Sequence, residues 1–275
     1  MNLPVILPWR WSPFSRVGFS EYGLRPYPFY IGIVLSLVGF FASWLLIKDT
    51  KHHITAETIT SKVPRLTNIF WQTTWKNKNL GSVTQAGLIN NLNDGMVWGL
   101  FPILLASKGF NIGQIGIVTA VYPAVWGLGQ LFTGKMADYF CKKDLLFIGM
   151  FLQGLALIAL LFANTLTHFV ILSTIIGCGT ALVYPTFLAT VAENTHPADR
   201  ASSIGVFRFW RDSGYAVGAI LTGIIADTLG VNASVLVIGL LTIFSSGIIL
   251  SRMMCNDKGS IKIADWLKNK LFQMQ

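Results

Sequence analysis

The sequence predicts an all-α, polytopic membrane helix bundle with seven transmembrane helices, and three observations predict it. Seven apolar stretches, each long enough to cross a bilayer, run between Tyr27 and Leu250. Charged residues make up 12% of the chain and hydrophobic residues 53%, with a mean hydropathy of +0.57. A water-soluble domain carries about twice that charged fraction. Basic residues gather in alternate connections, the pattern that sorts loops to one side of a membrane.

A hydrocarbon core about 30 Å thick needs roughly 20 apolar helical residues. The spans read as Tyr27–Ile47, Gln85–Ser107, Ile112–Thr133, Leu145–Ala163, His168–Ala192, Ser203–Ala226 and Val231–Leu250. Helices are preferred to barrel strands because the runs are long and do not alternate, and each segment must satisfy its own backbone in lipid. Residues 1–26 carry Pro4, Pro8, Pro13 and Pro26, lack the basic start and small-residue cleavage site of a signal peptide, and take no fold from their pattern. The organisation is therefore an unassigned segment 1–26, a first helix 27–47, a basic connector 48–84, a six-helix bundle 85–252 and a tail 253–275.

Lys48, Lys51, Lys62, Arg65, Lys76 and Lys78 follow the first span, and Lys135, Lys142 and Lys143 the third. Arg200 follows the fifth, and Arg252, Lys258, Lys262, Lys268 and Lys270 the seventh. These connections are assigned to the cytoplasm, which puts the carboxyl end inside and makes the chain a multi-pass protein of the cell membrane. Lys108 is the exception on the opposite side, and Arg10, Arg16 and Arg25 oppose the assignment weakly. The net charge of +9 is accounted for by orientation and by contact with anionic membrane lipid, so no nucleic acid partner is expected. Within the connector, Leu66, Ile69, Phe70 and Thr73 have the spacing of a short helix lying on the membrane surface, with a solvated linker as the alternative. Cys141, Cys178 and Cys255 show no metal spacing and imply no disulfide framework.

The strongest internal signal is a duplication. Gly129–Asp138 reads GQLFTGKMAD and Gly218–Asp227 reads GAILTGIIAD. Each stretch closes the middle span of a group of three, and the charge assignment puts the two on opposite sides of the membrane. Three helices repeated upside down are a recurrent plan of secondary transporters.

Gly134-Lys135-Met136-Ala137-Asp138-Tyr139-Phe140-Cys141-Lys142-Lys143 resembles the signature loop of the major facilitator superfamily, roughly Gly-x-Leu-Ala-Asp-Arg-x-Gly-Arg-Lys. Tyr139 and Cys141 depart where that family prefers a basic residue and a glycine. Gly23-Leu24-Arg25 and Pro28-Phe29-Tyr30-Ile31-Gly32 resemble the entry to its sixth helix, and the basic connector resembles the loop between its halves. The resemblance implies half of a transporter fold, helices six to twelve, built from inverted three-helix repeats. It implies a permease that moves a small-molecule substrate by alternating access, with proton coupling chemically available. Residues 1–22 do not replace helices one to five. The partner implied is a missing amino-terminal half or a second copy of the chain; the alternative is a non-transporting remnant or assembly partner of a split transporter.

Polar groups inside the spans are the candidate site, since a charge at mid-membrane costs about 2.5–3.5 kcal/mol. Asn90, Asn91, Asn93 and Asp94 crowd the second span; Asp94 is the candidate substrate or proton carboxylate, with the asparagines as its hydrogen-bond partners, and interhelical tying is the competing role. Arg208, Asp212 and Tyr215 form a stripe on the sixth span, where Arg208 is expected to pair with Asp212 and Arg211 is the rival. An anion contact or gating pair near the cytoplasmic mouth is the functional reading, and a structural ion pair competes with it. Tyr184, next to Pro185, joins the pathway set. The gating set is Gly134, Asp138, Lys142, Lys143 and Glu193, in which Lys142 or Lys143 reaches Glu193 and Asp138 approaches a helix end in a partner bundle.

No Walker-type loop, HExxH or GxSxG occurs, and His52, His53, His168 and His196 assemble no catalytic or metal set. No enzyme activity, cofactor or metal is expected. A seven-helix receptor or photoreceptor fits the span count, but a retinal protein needs a lysine in its last helix, and Val231–Leu250 has none.

Overall fold

A computed structural model describes residues 27–46, 57–59, 61, 63–255 and 263. Its long elements are all helices: α1 Tyr27–Leu46, α2 Lys78–Ser107, α3 Ile112–Tyr139, α4 Lys142–Ala159 with a 3-10 extension Leu160–Phe162, α5 Leu166–Glu193, α6 Arg200–Leu229 and α7 Val231–Arg252. The segment 1–26 and most of the tail lie outside the described residues.

Local chemistry sets the ends. The Asn77 side chain accepts the backbone N–H of Asn79 and Leu80, so α2 starts a full two turns before Gln85. Asn111 and Gln114 form a reciprocal capping box at α3, and Thr165 caps α5. Gly109 and Gly230 take φ of 84° and 90°, which L side chains avoid, and turn the chain between α2 and α3 and between α6 and α7. Pro102, Pro123 and Pro185 sit inside helices that run on past them.

Among the described residues, five helices are long and apolar enough to cross a membrane: Phe29–Leu46 of α1, α3, α4 with its extension, α5 and α7. The other two, α2 and α6, have 30 residues each, about 45 Å of helix. They fall short in apolarity because they carry the Asn90–Asp94 and Arg208–Asp212 clusters, and they solve the problem by packing on each other. The α1 helix is exposed along its described length.

The six helices α2–α7 form two triplets related by an inverted twofold, and the contacts prove the relation residue by residue. The pair α2–α6 is mirrored by α5–α3, α4–α5 by α7–α2, and α4 packs on α7. A Cβ on Gly218 would meet the Leu92 carbonyl at 2.6 Å, and one on Gly129 would meet the Ala181 Cβ at 2.7 Å. Leu92 and Ala181 are separated by the same interval as Gly129 and Gly218, so one contact is the other turned over. The close approach of Gly214 to Leu88 is likewise mirrored by that of Val125 to Gly177. Thr133 and Thr222 are both buried, and each donates to a backbone carbonyl at 2.6 Å. Leu128 and Leu131 on α3 point outward, as do their counterparts Val217 and Ile220 on α6.

The two Thr-Gly…Ala-Asp corners lie at opposite ends of the bundle. Asp138 ends α3 beside the connection where Lys142 meets Glu193, and where Asn79 donates to Asn194 and accepts the Met254 N–H. Asp227 belongs to the other end, near the turn where Ser234 donates to the Thr222 carbonyl. The exceptional Lys108 is explained there: its ammonium donates to the Ala163 carbonyl at 2.6 Å at the close of the 3-10 turn.

Two expectations are corrected at the basic end. Cys141, between α3 and α4, is disulfide-bonded to Cys255 after α7, with Cα atoms 5.9 Å apart. Sequence spacing gave no sign of it because only the fold brings these two helix ends together. The described part of the connector, from Val63 on, is neither a solvated linker nor a helix with Leu66, Ile69, Phe70 and Thr73 on one apolar side. Ile69–Trp71 and a π turn Gln72–Lys76 pack on the start of α2, with Thr73 fully buried and Phe70 outward. Upstream, the Asp199 carboxylate accepts the Leu66 N–H and the Arg65 guanidinium, both at 3.0 Å. The backbone N–H of Leu66 and then Arg65 hold the Asp199 carboxyl below the usual carboxylate range.

Two predictions follow from this packing. Gly218→Ala forces α6 off α2 and lowers stability by about 1–3 kcal/mol, whereas Gly223→Ala, with nothing within 4 Å of its Cβ position, is neutral; thermal unfolding in detergent reads both. The Asp199 anchor is fully present above the unfolded carboxylate pKa and is lost as pH falls through its lower folded value. Asp199→Asn therefore speeds trypsin cleavage at Arg65 at neutral pH.

Candidate functional site

Asp94 lies halfway along α2, where a charge is hardest to place, and is 1% exposed. Its carboxylate is held by phenols from two other helices. Tyr122 on α3 donates to Oδ1, and Tyr215 on α6 donates to Oδ2 at 3.3 Å. Tyr122 Oη also lies 3.2 Å from Thr180 Oγ1 on α5. The site thus joins the first and middle helices of both triplets, each near its midpoint.

Aromatic rings wall this cluster. Trp126 stacks on Tyr122 with centroids 6.3 Å apart and meets Tyr184 edge-on at 5.1 Å, and Trp98 lies 6.3 Å from Tyr122. Arg211 lays its guanidinium over Tyr184 at 5.4 Å and over Phe207 at 5.7 Å. Its side chain is 12% exposed, and it pairs at 2.7 Å with the half-exposed carboxylate of Asp212. Two polar atoms are buried here with no hydrogen-bond partner, the acceptor Asn90 Oδ1 and the donor Trp126 Nε1.

The asparagines divide. Asn93 Nδ2 donates to Gln153 on α4, and its Oδ1 accepts from Thr242 on α7 at 2.7 Å, so it ties three helices together. Asn91 donates weakly to Asp212, and Asn90 to Asn91. None bonds Asp94: the phenols reach it across helices, whereas neighbours on one helix diverge. The Arg208–Asp212 pair does not form. Arg211 takes Asp212, and Arg208 is exposed one turn away. The pair also lies near the middle of the bundle rather than at its mouth.

In the gating set, Lys142 is buried and meets Glu193 at 2.6 Å, which joins the start of α4 to the end of α5. Asp138 is exposed at the end of α3, Gly134 has open space at its Cβ position, and Lys143 is half-buried. Sequence reasoning missed Tyr122 as an Asp94 partner. It also missed Thr180, Trp126 and Gln153. The available signal was the repeat: Tyr122 occupies on α3 the place that Arg211 occupies on α6.

Comparison with known proteins agrees with this architecture. Residues 83–260 match the family model described as Major Facilitator Superfamily. The chain is 24% identical over 169 residues to an uncharacterised MFS-type transporter of Methanocaldococcus jannaschii, covering 60% of this chain and 42% of that one. It is 23% identical to a probable hexose phosphate transport protein of Chlamydia trachomatis, covering 55% of this chain and 33% of that one. The chain thus spans less than half the length of these relatives. A crystal structure of the peptide transporter POT in complex with alafosfalin shares the fold with a TM-score of 0.53 at 15% identity, over 82% of this chain and 48% of that chain.

Proposed function

This chain belongs to the major facilitator superfamily of membrane transporters, and from that membership we propose that it carries the carboxyl-terminal half of a secondary permease for a small organic anion, with Asp94 as the proton carrier. The observation behind this reading is the buried carboxyl of Asp94, shared by Tyr122 and Tyr215 and set near a guanidinium that rings, not solvent, enclose.

Charge balance links anion to proton. Arg211 alone faces Asp94 and Asp212, so the cluster carries one net negative charge with both carboxylates ionised. A proton on Asp94 brings it to neutrality, which removes the repulsion that an entering anion meets and lets Arg211 turn from Asp212 to the anion. Arg211 is the anion contact, since its planar fork suits carboxylate, phosphate and sulfonate groups, and the substrate anion displaces Asp212 from that fork. Asn90 Oδ1 and Trp126 Nε1 offer an acceptor and a donor for the substrate's remaining polar groups. The hexose phosphate named for one relative is a substrate of this class.

Alternating access needs a second bundle. The mirrored outward faces of α3 (Leu128, Leu131, Phe132) and α6 (Val217, Ile220, Ile224) are apolar and exposed, and a second six-helix half covers them. The basic end faces the cytoplasm of a cell membrane. There Lys142–Glu193, with Gly134 and Asp138 beside it, holds the pathway closed.

Purified chain is expected to bind glucose 6-phosphate and not glucose, with affinity rising as pH falls. Arg211→Gln weakens that binding by at least about tenfold, the effect of losing a charge-assisted contact. Asp94→Asn removes its pH dependence and, in proteoliposomes, abolishes uptake driven by a proton gradient while the protein still inserts. Equal binding of glucose, or unchanged uptake by Asp94→Asn, contradicts the proposal.

A further inference from the structure

The short helical segment before α2 is held on its inner side by contacts from the bundle, and its other face is exposed. Three bundle helices fix its inner side. Thr84 on α2 donates to the Thr73 carbonyl at 2.8 Å, and the Trp75 backbone lies against Gly81 so closely that a Cβ there would meet the Trp75 carbonyl at 2.7 Å. Trp210 on α6 donates its indole N–H to Thr74 at 3.0 Å. Arg252 at the end of α7 donates to the Trp75 carbonyl at 2.7 Å and stacks 3.8 Å over its ring. Asn68, the one non-glycine residue of positive φ among those described, starts the segment at φ 58°. A left-handed start followed by a π turn is a costly way to end a linker, and such features gather where a surface has a task.

The outer face lines a recess of about 430 Å³ formed by Thr67, Asn68, Trp71, Gln72, Trp75 and Lys76. Trp71 is 63% exposed and Trp75 50%. The lining is rich in donors: an ammonium, two indoles, two amides and a hydroxyl. It contains no carboxylate, and Lys76 forms no ion pair among the described residues. The recess lies where α2 begins and α7 ends, on the basic side of the bundle, the end that the proposed orientation sets against headgroups. Indoles favour the headgroup level, and lysine there meets anionic headgroups.

We propose that this recess is a binding site for one anionic phospholipid, with the phosphate on Lys76, Thr67 and the Gln72 amide, and the glycerol and upper acyl chains against Trp71 and Trp75. Occupancy braces the segment that enters α2, the helix that carries Asp94, so lipid composition adjusts the stability of the transport helix from outside the substrate pathway. A soluble phosphate offers the same charge without the apolar part that the two indoles require.

The test uses the purified full chain in dodecylmaltoside, titrated with diheptanoyl phosphatidylglycerol, diheptanoyl phosphatidylcholine or inorganic phosphate, with thermal unfolding as the readout. Phosphatidylglycerol is expected to raise the melting temperature at concentrations at which phosphatidylcholine and phosphate do not. Lys76→Gln weakens the phosphatidylglycerol response by about fivefold, the effect of one lysine at an anionic surface, and leaves the lipid-free melting temperature unchanged because the residue is exposed. Trp71→Ala, also at an exposed position, weakens the response to lipid as well. Equal responses to the two lipids, an unchanged response in Lys76→Gln, or a shift reproduced by phosphate alone overturns the proposal.

Discussion

The bundle depends on two places where helices touch backbone to backbone. Hydrocarbon supplies no hydrophobic drive between helices, so association rests on close packing and on hydrogen bonds between them. Gly218 against Leu92, with Gly214 against Leu88, brings α6 onto α2. The same positions, turned over, bring α3 onto α5, with Gly177 against the Tyr122 carbonyl and Gly129 against the Ala181 side chain. These approaches decide where the midpoints of four helices meet, and the polar groups of the protein are concentrated at that meeting point.

The site follows from that geometry. A carboxylate in lipid is tolerable only with partners, and no residue close to Asp94 on its own helix supplies one. The phenol of Tyr122 comes from α3 and that of Tyr215 from α6, helices that exchange places under the twofold. Arg211 stands where the other triplet has Tyr122, and Tyr215 where it has Trp126. The duplication therefore built two matching frames, and divergence at a few positions turned their shared centre into an asymmetric set of acid, base and aromatic walls. Asn93 serves the frame instead, bridging Gln153 and Thr242, which are themselves mirror positions on α4 and α7.

The fold was largely legible in the sequence because its causes are periodic or compositional. Long apolar runs, basic connections and the repeated Thr-Gly…Ala-Asp fixed the spans and their inversion. Helix ends were less so, since α2 begins at an asparagine cap outside the apolar run. The site was legible by residue type and not by pairing. Mid-membrane charge marked Asp94, Arg211 and Asp212, but their partners lie on other helices, and no local spacing encodes them. The Cys141–Cys255 bond was hidden for the same reason: it joins positions 114 residues apart.

In the proposed mechanism anion and proton enter the site together, because only a protonated Asp94 removes the excess negative charge that Asp94 and Asp212 set against Arg211. Calorimetric titration of the chain with an organic phosphate, repeated in buffers of different ionisation enthalpy, counts the protons taken up on binding. The account predicts uptake of about one proton per anion near neutral pH, absent in Asp94→Asn. Anion binding with no proton uptake in the unaltered chain contradicts it.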